Sequence, residues 1–105
     1  MKIKVYQIDR DHDDKNVMFM GYDFTMKHGG VDPSDYKCVF DGNVECGNLE
    51  EIYTLCNTDH PIGYNGHSLS VSDIVDVEND GCYFCDRVGF KKVDDFDASS
   101  VEPIH

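Results

Sequence analysis

Cys82-Tyr83-Phe84-Cys85 is the motif with the most chemistry to offer. A CxxC pair holds zinc when a second ligand pair completes a tetrahedron, and acts as a redox dithiol when a helix N-terminus lowers one thiol pKa. Here Cys38 and Cys46 are too far apart to be a matching pair, and no His stands beside them. Gly81, Tyr83, Phe84 and Val88 give the motif the character of a strand, on which residues i and i+3 point to opposite faces, so the sulfurs diverge. Structural thiols are the favoured reading, and a small zinc- or redox-active protein using Cys82 and Cys85 is an alternative.

A second cluster puts His67, Ser68, Ser70, Ser72 and Asp73 in one short stretch. Base, hydroxyl and carboxylate are the parts of a hydrolytic triad, but triads are assembled from separate segments, and the GxSxG elbow is missing. Ser70, Ser72 and Asp73 are instead expected to hold backbone N–H groups where a loop enters a strand. Together with Tyr64 and Leu69 these residues form the candidate binding segment. No catalytic residue is assigned.

Asp9, Asp11 and Asp13 have the alternate spacing that opens a calcium loop, yet Asp14 stands where that loop needs Gly and Met20 where it needs Glu. With Asp14 they are read as an acidic surface on a solvated turn. Gly29-Gly30 and Gly63 to Gly66 lack phosphate-loop spacing, and Lys91-Lys92 is an isolated basic pair. No metal and no cofactor is expected.

The elements that must position these residues follow from periodicity. Ile3, Val5, Tyr6 and Ile8 suggest an opening strand, and Val17 to Tyr22 a second, joined as a hairpin across the polar residues 9–16. A short helix from Asp23 through Met26 would stop at Gly29-Gly30. Asp32-Pro33-Ser34-Asp35 is a turn, and Tyr36 to Phe40 a strand. Asn48 to Cys56 is the best helix: Asn48 caps it, Glu51 completes a capping box, and Leu49, Ile52, Tyr53 and Cys56 make one apolar face. Pro61 prevents its continuation. Leu69 to Val77 and Cys82 to Val88 form a hairpin across Glu78-Asn79-Asp80-Gly81, with Gly89-Phe90 and Val93 extending or capping the sheet. The expectation is an α+β fold: a small antiparallel sheet built from hairpins, with one or two helices packed on one face. Residues 1–93 would form the domain and 94–105 a flexible acidic C-terminal tail.

Composition bounds the function. In 105 residues, 21 Asp and Glu against nine Lys and Arg leave a net charge of −12, which excludes an extended phosphate-neutralising surface, so no direct nucleic-acid binding is expected. A hydrophobic content of 40%, with six Tyr and six Phe, is too high for disorder. No apolar run suggests a signal peptide or membrane span, and five cysteines make an odd set, so the chain is read as cytoplasmic with reduced thiols.

Gly66-His67-Ser68-Leu69-Ser70-Val71-Ser72-Asp73-Ile74-Val75, then Gly81-Cys82-Tyr83-Phe84-Cys85-Asp86 and Gly89-Phe90, resemble the YodL-like family. Upstream, Tyr36, Val39-Phe40, Gly42, Leu49-Glu50-Glu51, Tyr53 and Asn57 extend the likeness over residues 36 to 90. The resemblance implies a small domain of Gram-positive bacteria, often encoded on conjugative or integrative elements. It carries over no catalytic residues. Members of the family are associated with cell-shape regulation through the actin-like cytoskeleton, which points to protein binding. This chain has Cys82 and Cys85 where the family usually has an aromatic-Tyr-x-Asp run, so the CxxC is not read as a family site.

The expected function is therefore a non-enzymatic protein-protein interaction module, encoded by a mobile element and acting on a host or element-encoded protein through an exposed patch near Tyr64 to Leu69. An acidic DNA mimic that inhibits a restriction, CRISPR or other nucleic-acid enzyme is the alternative the charge suggests. Yet Gly66 to Ile74 holds a single acid, Asp73, so the charge is assigned to solubility or partner steering.

Overall fold

Four consecutive buried residues, Val5 to Ile8, mark a strand with both faces covered and both edges paired. That strand, β1 (Lys2–Ile8), lies inside a five-stranded antiparallel sheet seen in a computed structural model that describes residues 1–101. The other strands are β2 (Tyr36–Asn43), β3 (Ile74–Val77), β4 (Gly81–Cys85) and β5 (Phe90–Lys92), in the order β2-β1-β3-β4-β5. Two helices, α1 (Tyr22–Lys27) and α2 (Leu49–Thr58), complete the expected α+β architecture. Neither is long and apolar enough to cross a membrane.

The first expected hairpin does not form. β1 pairs with β2 on one side and β3 on the other, Ile3 lying opposite both Gly42 and Val77. Val17 to Tyr22 is not a strand before α1 begins at Tyr22, because its donors are satisfied locally: the Asp13 carboxylate accepts from Val17 N–H at 2.9 Å and Met18 N–H at 3.1 Å. With β1 occupied on both edges, Val17 packs over its face instead, joining Tyr6 and Ile8.

A bulge in β2 sets the core. Val5 lies opposite Phe40 and Tyr6 opposite Cys38, leaving Val39 as the extra residue, and Val39 and Phe40 both join the cluster of Ile3, Val5, Leu69 and Val75. α2 covers this face through Ile52 and Cys56. Its cap is as expected, Asn48 Oδ1 accepting Glu51 N–H at 2.9 Å, but the Glu51 carboxylate accepts from Gly47 N–H rather than from Asn48. Tyr53, expected on the buried face, is 43% exposed, because the buried stripe is centred between Ile52 and Cys56 and leaves it at the edge.

The β3–β4 hairpin forms as expected, Asn79 and Gly81 taking positive φ in its turn. It is shorter than the apolar pattern: Leu69 and Val71 precede β3, and β4 ends at Cys85, after which Asp86 N–H donates to Gly89 O and Val88 stands in solvent. The other face of the sheet is covered by the chain around Val17, Tyr22 of α1, Val93 and Phe96. Phe96 stacks on Tyr6 and meets Tyr36 edge-on, so packing continues past the expected boundary at residue 93. Asp97 caps a short 3-10 turn at Ala98–Ser100, and residues 102–105 of the expected tail lie outside the described residues.

Candidate functional site

Gln7, 1% exposed on the inner strand β1, ties the 64–73 segment to the sheet. Its Nε2 lies 2.8 Å from His67 O, 3.0 Å from Asp73 Oδ2 and 3.2 Å from Tyr64 Oη, and its Oε1 accepts from His67 N–H at 3.2 Å. One amide NH2 has two hydrogens, so the three oxygen acceptors share them, with His67 Nδ1 a fourth neighbour at 3.3 Å. Asp73 Oδ2 also accepts Ser70 N–H at 2.8 Å, and Tyr64 Oη donates to His67 O at 2.8 Å. Burial raises the Asp73 carboxyl well above the usual carboxylate range, against the opposing pull of the Ser70 and Gln7 hydrogen bonds. Gly66 lets this happen: a Cβ there would collide with Gln7 Oε1 and Val39 Cγ1.

The triad parts are not wired as a triad. Asp73 is bonded to Gln7 and Ser70, and the Ser70 hydroxyl donates to Ser68 O. His67 Nδ1 lies 2.7 Å from Ser68 O, which calls for the tautomer with the proton on Nδ1, and the buried Nε2 has no hydrogen-bond partner among the described residues. Among the described residues the Ser68 hydroxyl reaches only His60 Nε2, at 3.5 Å. Ser72 and Asp73 thus serve backbone N–H groups as expected, whereas the Ser70 hydroxyl serves a backbone carbonyl. The expected exposed patch from Tyr64 to Leu69 does not form: Leu69 fills the core, Ser72 and Asp73 are buried, Tyr64, His67 and Ser70 are partly buried, and Ser68 alone of the seven is exposed. The apolar character of Leu69 is used by the core.

Ser72 has a different use. Its hydroxyl accepts Phe19 N–H at 3.0 Å, its N–H donates to Cys85 O, and its carbonyl accepts the Tyr36 hydroxyl at 2.6 Å. Ser72 (φ 84) and Phe19 (φ 68) both sit in the left-handed region, which is uncommon for a residue as bulky as Phe. The result is an aromatic ring held outward, 48% exposed, with the His67 ring beside it at 5.2 Å.

Phe19, Met20 and Phe24 of α1 line one wall of a surface cleft with Val71 and Arg87. Across Val71 and Arg87 it meets a second cleft walled by Tyr53 and Phe90. Sequence reasoning placed Phe19 and Met20 on a strand and so missed this ridge. Its only signal is a run of apolar residues for which no partner strand exists.

The acidic surface is partly corrected. Asp9 Oδ1 accepts Asp11 N–H and caps a 3-10 turn at Arg10–His12, and Asp13 turns inward to the Val17 and Met18 amides, which leaves Asp11 and Asp14 as the exposed pair. On β4, Cys82 packs with Phe84 on one face of the sheet while Tyr83 packs on the other, so alternation sends Cys85 opposite to Cys82. Burial pushes both thiols up to about 12, Asp76 adding to the shift at Cys82 and Asp73 at Cys85. Among the described residues, no three His, Cys, Asp or Glu side chains converge as a metal site would require.

These features define a small α+β domain whose buried polar cluster braces a loop and whose exposed Phe19, Met20 and Phe24 line one ridge. The chain belongs to the YodL-like domain family, whose model matches residues 2–96. No curated protein and no solved structure is matched by it.

Proposed function

We propose that this YodL-like domain is a non-enzymatic protein-protein interaction module whose contact surface is the ridge of Phe19, Met20 and Phe24. The observation that carries this reading is the presentation of Phe19. A left-handed backbone costs a bulky residue about 1–3 kcal/mol, and here it holds an apolar ring half in water. Such an arrangement is useful when the ring is a contact, since rigid aromatic anchors dominate binding energy at interfaces. The candidate hydroxyls and the buried carboxyl support the loop and are already bonded, which favours binding over catalysis. A host or element-encoded protein as the partner is an extension that follows the family resemblance.

A photo-crosslinking residue at Met20, used in cells of a Gram-positive host, tests the proposal. A discrete adduct that disappears in Phe19→Ser and Phe24→Ser variants of unchanged circular dichroism is expected. Adducts that are absent, or equally strong in both variants, overturn it.

A further inference from the structure

Resting on that reading, we infer that the partner presents a basic segment, its aliphatic side chains seated in the two joined clefts and its Lys or Arg groups at their acidic rims. The clefts meet at Val71, Asp86 and Arg87 and together extend from Phe24 on α1 to Tyr53 on α2. Asp23 stands on the cleft of Phe19 and Phe24, Glu50 on that of Tyr53 and Asp86 on both, whereas among the described residues Arg87 is the one cation that lines either. Asp86 is occupied, its Oδ1 accepting from Tyr22 and Arg87 N–H. Asp23 and Glu50 are both exposed and line different clefts, Asp23 with Phe19 and Phe24 and Glu50 with Tyr53 and Phe90. A segment entering this groove meets an excess of carboxylate within a molecule of net charge −12, a field that draws cations and repels acidic chains. The same field opposes a second copy of this chain, which would bring the same charge to the same place.

The probe is a fluorescent synthetic peptide of alternating Leu and Lys, compared with Leu/Glu and Ser/Lys peptides of equal length by anisotropy against the full chain. The Leu/Lys peptide is expected to bind, the other two to bind at least about tenfold more weakly, and Asp23→Lys with Glu50→Lys to weaken the first by about tenfold. Asp14→Lys with Glu78→Lys makes the same charge change at exposed positions off the groove and should alter affinity by less than about twofold. Four results overturn the inference: no binding of the Leu/Lys peptide, equal binding of Ser/Lys, equal loss in the distal charge variant, or self-association on sedimentation that Phe24→Ser abolishes. The interaction reading fails separately. If the Met20 crosslink is lost in Phe24→Ser but unmoved by Asp23→Lys with Glu50→Lys, the basic partner falls and the binding surface stands. If neither variant moves the crosslink, both fall.

Discussion

The backbone N–H of Phe19 and the hydroxyl of Ser72 meet at 3.0 Å, joining two left-handed residues 53 positions apart. One is buried and the other displays its ring, so a polar contact in the interior decides where an aromatic side chain stands on the surface.

Ser72 variants separate the two parts of this contact. Ser72→Ala removes the acceptor, keeps the backbone cost, and is expected to destabilise by about 1–2 kcal/mol. Ser72→Gly also removes the acceptor but relieves the positive φ, recovering about 1 kcal/mol, so it should be the milder change. Thermal unfolding gives the order, and faster hydrogen exchange at the Phe19 amide reports the freed loop in both.

Asp73 makes stability depend on pH. Its folded pKa is raised well above the unfolded value, so the folded state holds the proton more tightly. The associated stability is fully present below the ordinary carboxyl pKa of about 4 and is lost as pH rises through the folded value. Asp73→Asn keeps an acceptor for Ser70 and Gln7 and does not ionise. Its urea midpoint should fall less than that of the parent as pH is raised from acid to neutral, and parallel curves would disprove the assignment.

Gly66→Ala tests the fit of the 64–73 segment against β1. The added methyl must displace Gln7 or Val39, at an expected cost of about 1–3 kcal/mol. Gly63 has open space around its position for a Cβ, yet its φ of 91 strains any side chain, so Gly63→Ala should cost about 1 kcal/mol without disturbing Gln7. Unfolding midpoints rank the two, and side-chain amide shifts of Gln7 should move only in the first.

Thiol reactivity offers an independent check. Burial raises Cys56 to about 11 and Cys82 and Cys85 to about 12, so little thiolate forms at mildly alkaline pH. Iodoacetamide labelling of the folded protein, read by mass spectrometry, should leave these three largely unmodified until denaturant is added. Rapid native labelling of Cys82 or Cys85 would point back to an activated dithiol.

Local signals made α2 and the β3–β4 hairpin legible. A capping side chain, apolar spacing on one face and a Glu-Asn-Asp-Gly turn each act within a few residues. β1 was legible as a strand but not its neighbours, since both edges pair with distant segments. Residues 17–22 were misread because an apolar run looks the same whether it pairs or packs; what decides is the Asp13 carboxylate, which satisfies the amides that a strand would leave for a ladder. At the site, Ser70, Ser72 and Asp73 were legible as residues that hold backbone. That Ser72 holds Phe19 was not, because nothing in a sequence window couples positions 19 and 72.

The inner position of β1 carries a consequence for synthesis. During translation this strand leaves the ribosome before either neighbour, and its edge toward β3 stays open until Val77 has been added. For that interval Ile3, Val5 and Ile8 form an apolar ribbon with an unpaired margin, the kind of nascent segment that chaperones shield and that recruits other strands when crowded. Slowing the ribosome between β2 and β3 should therefore lower soluble yield more than slowing it after β4.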